Sequence, residues 1–130
     1  MPEWMIASLN ADISARRSSC VEIIEEALAR AKEGEGPRAF RSVREAALKE
    51  ARAQDALRST GAAPSPLAGV PISIKDNIDF AGEPTRGGCK LLEDAPPASS
   101  HAPVVQRLLA AGAVIVGRTN MSELAFSGVG

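Results

Sequence analysis

The sequence is short of the residues that build most metal, redox and nucleic-acid sites. Its 130 residues include one histidine, two cysteines, one tryptophan, three phenylalanines and no tyrosine. His101, Cys20 and Cys89 form no zinc-ligand spacing, so neither a metal nor an organic cofactor is expected. Two cysteines make no disulfide framework, which leaves a reducing, cytoplasmic setting as the default expectation. Trp4, Phe40, Phe80 and Phe126 lie too far apart to form a stacking platform for single-stranded nucleic acid. An excess of charge is missing as well. Fifteen basic residues face sixteen acidic ones for a net charge of −1, which argues against nucleic acid and anionic membrane as partners. The best apolar run, residues 110–116, is interrupted by Gly112 and falls far short of a membrane span. The N-terminal Met1-Pro2-Glu3-Trp4 has neither the basic start nor the apolar stretch of a signal peptide.

What is present is enough for a packed core. The chain is 45% hydrophobic and 24% charged, and its length fits one domain. Residues 1–62 read as helical and 63–130 as α/β. A first helix over residues 3–16 aligns Met5, Ile6, Leu9 and Ile13 at spacings of three and four. Ser19 followed by Glu22 is a capping-box pattern, and Val21, Ile24, Ala27, Leu28 and Ala31 form the apolar stripe of the helix it starts. Ala39, Phe40 and Val43 suit a short extended piece. A third helix is expected from Ser42, with Glu45 three residues on and Ala47, Leu48 and Ala51 on its narrow face.

From Leu67 the pattern changes. Residues 70–75, Val-Pro-Ile-Ser-Ile-Lys, alternate like a strand, with Val70, Ile72 and Ile74 on one face and Ser73 and Lys75 on the other. Pro103 opens a helix through Val104, Val105, Leu108 and Leu109, which Gly112 closes. Residues 113–116 then form a short strand apolar on both faces, and Asn120 with Glu123 starts a further short helix. Strand, helix, strand implies a parallel pair.

Lys75 is the most informative residue. A lysine ending an apolar strand must face a cavity, pair with an acid or be neutral, and ligands gather at the carboxyl ends of parallel strands. A desolvated amine there can serve as a base. The plainer alternative is a surface lysine paired with Asp76 or Asp79. Residues 117–123 leave the second strand toward the same crevice, or form only a capped strand-to-helix turn. Gly87-Gly88 suits a turn. Cys89 reads as a small buried residue rather than a nucleophile, and His101 has no acid at a spacing that would make a Ser-His-Asp site.

Residues 66–79, Pro-Leu-Ala-Gly-Val-Pro-Ile-Ser-Ile-Lys-Asp-Asn-Ile-Asp, closely resemble the lysine segment of the amidase signature family. Residues 110–125, with Gly-Arg-Thr-Asn-Met-Ser-Glu at 117–123, resemble its next block, and Gly82, Pro84, Thr85 and Gly88 fit the link between them. The resemblance covers nearly the whole chain. It implies the N-terminal part of an amidase-signature α/β/α sandwich, with early helices packed on a mixed, largely parallel sheet. It implies hydrolysis of carboxylic amides by a Ser-cisSer-Lys triad, without metal or organic cofactor, in which Lys75 is the general base. Asp76 and Asn77 would order the lysine loop, and Met121 and Ser122 would line or support the site. The glycine- and serine-rich stretch that carries the family's bridging serine, nucleophile and oxyanion hole has no match here. None of Ser99, Ser100, Ser122 or Ser127 corresponds to those serines. The chain alone is therefore expected to be inactive. Cys89 and His101 stand where related sequences often have serine and an acid, and Arg118 where they often have lysine.

Three functions are open at this point: an amidase acting on a small-molecule amide, the amidase component of a tRNA-dependent amidotransferase, and a short non-enzymatic binding or assembly module. For the last, unpaired strand edges would favour a homo-oligomer or a complementary fragment as partner.

Overall fold

The structure, a computed structural model, describes residues 5–126; Trp4, Ser127 and the expected helix start at Glu3 lie outside them. Helix α1 spans Ile6–Ser14 and buries Leu9 and Ile13. Helix α2, Cys20–Lys32, starts at the capping box the spacing foretells. Ser19 Oγ accepts from the Glu22 N–H at 3.1 Å, and Glu22 Oε2 accepts from the Ser19 N–H at 2.8 Å. The buried face of α2 is turned slightly from the expected stripe. Cys20 and Ile23 join Ile24, Leu28 and Ala31 in the interior, while Val21 and Ala27 sit at its margin.

The third helix does not begin at Ser42. After a short turn of helix, α3, at Gly36–Ala39, the chain forms strand β1, Phe40–Val43, and helix α4 follows at Ala47–Ser59. The short extended piece is thus a true strand of the sheet, set inside a stretch whose pattern is otherwise helical. Its partner lies far along the chain: β1 runs antiparallel to β3, Val114–Thr119, with Phe40 opposite Thr119 and Val43 opposite Gly117. Gly117 makes this approach possible, because a Cβ there would sit 2.4 Å from the Ser42 carbonyl oxygen. Glu45, freed from a capping role, pairs with Lys32.

Strand β2, Pro71–Lys75, pairs in parallel with β3, giving the sheet order β1-β3-β2. The connection carries a 3-10 turn at Lys90–Leu92 and helix α5, Pro103–Ala110. The sheet is mixed, with one parallel and one antiparallel pair, and helices cover both faces. On one face α1, α2 and α4 enclose Leu9, Ile13, Ile24, Leu28 and Ala51 against Val114 and Val116. On the other, Ile115 and Ile74 pack with Phe80 and with Val105 of α5. β3 is therefore apolar on both sides, as its unbroken hydrophobic run foretells.

The expected common face for Val70, Ile72 and Ile74 does not form. Val70 joins the α1–α2–α4 cluster, Ile74 joins that of α5, and Ile72 touches both. A register shift between Ile72 and Ser73 breaks the simple alternation.

Candidate active site

The site lies where β2 and β3 end. Lys75 is the last residue of β2, opposite Thr119 in the register, and its side chain is exposed. Among the described residues it makes no hydrogen bond or ion pair. Neither acid that could have paired with it does so: Asp79 Oδ1 accepts from Thr85 Oγ1 at 2.6 Å, and Asp76 turns the other way, into the protein. The desolvation expected at Lys75 is not supplied by residues 5–126.

Asp76 is 0% exposed and meets Arg118, the fifth residue of β3, which is 1% exposed. Arg118 Nε donates to Asp76 Oδ1 at 3.0 Å, and Arg118 Nη2 donates to the carbonyls of Ile78 at 2.8 Å and Asp76 at 3.3 Å. The second carboxylate oxygen accepts from the Gly88 N–H at 3.1 Å and lies 3.4 Å from Arg41 Nε. The Asp76 backbone is held too: its N–H donates to the Thr119 carbonyl at 3.1 Å, and its carbonyl accepts from the Gly87 N–H at 3.0 Å. A buried carboxylate is tolerable only when paired and hydrogen-bonded in this way. The turn after Lys75 is closed by the Ile78 N–H donating to the Lys75 carbonyl at 3.0 Å. One guanidinium group thus clamps the turn that follows the lysine.

Gly88 adopts φ +67°, and a Cβ there would lie 2.6 Å from the Met121 carbonyl oxygen, so a glycine is required. Buried Met121 packs on this glycine loop, which links it to Asp76. Ser122 is half-buried and precedes a 3-10 turn at Glu123–Ala125 in place of the expected helix; Asn77 is exposed and makes no hydrogen bond among the described residues. Of the residues named from the sequence as site residues, Lys75, Asp76 and Met121 converge on one loop cluster. Arg118 is not among them, and the structure adds it.

A second arginine ties the flank together. Arg44 donates to Glu83 Oε1 at 2.9 Å, to Glu50 Oε1 at 2.9 Å and to the Ile115 carbonyl at 2.6 Å, and it stacks 4.2 Å over the Phe80 ring. His101 Nδ1 accepts from the Ala81 N–H at 3.0 Å, and its ring meets Phe80 edge-on, so it pins a loop. Cys89 is buried, with its thiol donating to Glu123 Oε1 at 3.0 Å. Among the described residues no group of three or more His, Cys, Asp or Glu could hold a metal ion. Among the described residues no helix is long and apolar enough to cross a membrane.

Comparison with known proteins agrees with these motifs. Residues 22–130 match the family described as Amidase. The mandelamide hydrolase of Pseudomonas putida is 39% identical over 95% of this chain and 24% of its own length. A glutamyl-tRNA(Gln) amidotransferase subunit of Methanosarcina barkeri is 51% identical over 65% of this chain and 17% of its own length. Among solved structures, the peptide amidase of Stenotrophomonas maltophilia superposes with a TM-score of 0.80 at 34% identity, covering 91% of this chain and 25% of that one. The chain spans about a quarter or less of the length of the curated relatives it matches.

Proposed function

The chain belongs to the Amidase family, and from that premise we propose that it supplies the general base, Lys75, and the surrounding loops to an enzyme that hydrolyses a small-molecule carboxylic amide. In the reaction this implies, the Lys75 amine takes a proton from a bridging serine, which in turn takes one from the nucleophilic serine. The serine oxygen attacks the amide carbon, an acyl-enzyme forms, and the amine leaves with a proton. Water then releases the acid. Both serines and the oxyanion hole belong to segments other than these 130 residues, and the chain alone is inactive. Three features support this role for Lys75: it ends a strand, carries no competing side-chain partner among the described residues and stands beside a clamped turn. Asp76 holds the turn that contains Asn77, Met121 packs on Gly88, which is bonded to Asp76, and Ser122 follows Met121 in the chain. No metal or organic cofactor takes part, and the protein works in the cytoplasm.

The observation that carries this assignment is the buried Asp76 beside the free Lys75: this carboxylate fixes the lysine's turn rather than neutralising the lysine. The test is amide turnover by a family-length amidase carrying these 130 residues at its N-terminal end. Lys75→Met is expected to lower kcat by about 10²–10⁴-fold without unfolding the protein. Unchanged turnover would refute the base assignment.

The high identity to glutamyl-tRNA(Gln) amidotransferase subunits favours a second reading, in which the same site releases ammonia from glutamine for a companion protein. Copurification with such companions, and glutamine as the preferred amide, would select it over a free hydrolase.

A further inference from the structure

We propose that Arg118 is a positioning residue for the reaction, acting through Asp76 and the turn after β2 to hold the Lys75 amine in place. The inference rests on the assignment of Lys75 as the base. Three features of the arrangement carry it. Arg118 is fully buried although it is charged, so its burial must be matched by specific partners. Its side-chain hydrogen bonds all fall on one turn: Nε on the Asp76 carboxylate, and Nη2 on the carbonyls of Asp76 and Ile78, while Nη1 makes no hydrogen bond among the described residues and lies 3.8 Å from Glu83 Oε2. That turn begins at Lys75, whose carbonyl accepts the Ile78 N–H. The guanidinium fork therefore fixes the turn at its side chain and along its backbone, while β3 fixes the fork. The same carboxylate gathers the Gly88 N–H, so the loop on which Met121 packs is set relative to the same point.

This geometry explains why Asp76 does not pair with its neighbour Lys75. The carboxylate is held inside by Arg118, Gly88 and the nearby Arg41, and the amine is left free for the reaction. Lysine at position 118 could keep the charge on Asp76 but could not also hold the Ile78 carbonyl in a planar fork.

The experiment uses a family-length amidase carrying these residues, with kcat and KM measured on a primary amide and hydrogen exchange read on peptides covering residues 75–89 and 110–117. Arg118→Met is expected to lower kcat by about 10²-fold with KM changed by less than about twofold, since misplacing a reacting group costs rate rather than binding. Arg118→Lys is expected to recover about tenfold of that loss and to fold even where Arg118→Met does not. In Arg118→Lys, exchange should quicken in residues 75–89 and stay slow in 110–117. Unchanged exchange in that turn overturns the inference. So does an unchanged kcat in either Arg118 variant of an enzyme that Lys75→Met inactivates. If Lys75→Met itself leaves kcat unchanged, the base assignment fails and the positioning role falls with it, and the exchange data still report whether Arg118 clamps the turn.

Discussion

The sheet is sealed in two different ways. Under α1, α2 and α4 the interior is made of many interchangeable aliphatic contacts: Leu9, Ile13, Ile24, Leu28, Val114 and Val116. At the carboxyl ends of β2 and β3 it is made of a few directional bonds around one carboxylate and one guanidinium, with glycines at 87 and 88 bent to reach them. Dispersion and burial tolerate small changes of shape, because each contact is weak and the loss is spread over many. A buried charge tolerates almost none, because removing its partner leaves the full cost of desolvation. The apolar side gives the fold its stability; the polar rim gives one turn its geometry, and that is where the proposed base stands.

The largest predicted effect on stability tests this contrast directly. Arg118→Met leaves Asp76 buried without its main partner and should destabilise the fold by about 3–5 kcal/mol, seen as a lower urea midpoint. A loss below about 1 kcal/mol would show that the rim is as forgiving as the apolar side.

A smaller effect comes from the helical side. Burial, and then the neighbouring Asp55, pushes the Cys20 thiol up from 9.0 to about 12. The unfolded chain gives up that proton near pH 9 and the folded chain only near pH 12. Stability is therefore intact below the lower value and falls as pH rises through the window, by up to about 1.4 kcal/mol per pH unit. Denaturant midpoints taken from about pH 8 to about pH 11 should show this decline, and Cys20→Ala should flatten it. An identical slope in both proteins would contradict the assignment.

The smallest effect is expected at the proposed base. Lys75 is exposed and unpartnered among the described residues, so Lys75→Met should change the stability of this chain by less than about 0.5 kcal/mol. A large loss would mean that the lysine is structural, and the contrast with its neighbour Asp76 would fail.

Much of this can be read from the residues. The Ser19–Glu22 box, the proline-started α5 and the unbroken apolar run of β3 are local signals, and each element forms where its signal lies. Strand β1 shows in the sequence only as a short extended piece, and its place in the sheet is not legible there. Four residues carry little pattern of their own, and their pairing partner is in β3. The shared face expected for Val70 and Ile74 fails for a related reason: alternation assumes a regular pleat, and the register shift at Ile72 and Ser73 is set by pairing with β3. Within the site, Lys75 is visible because a lysine ending an apolar strand is costly, and the family resemblance sharpens its role. Arg118 escapes a reading that takes it as part of a strand-to-helix turn. The signal is nonetheless there, since Asp76 directly follows strand β2 and Arg118 falls near the end of its parallel neighbour. Opposite charges at adjacent strand ends are the sequence mark of a buried pair.

The most direct test of the central claim is a double-mutant cycle on kcat with Lys75→Met and Arg118→Met in a family-length amidase carrying these residues. If Arg118 acts by placing Lys75, it has nothing left to place once the amine is gone. The double variant should then turn over within about twofold of Lys75→Met alone. Full multiplication of the two single losses would show that the residues work independently, and would contradict the account.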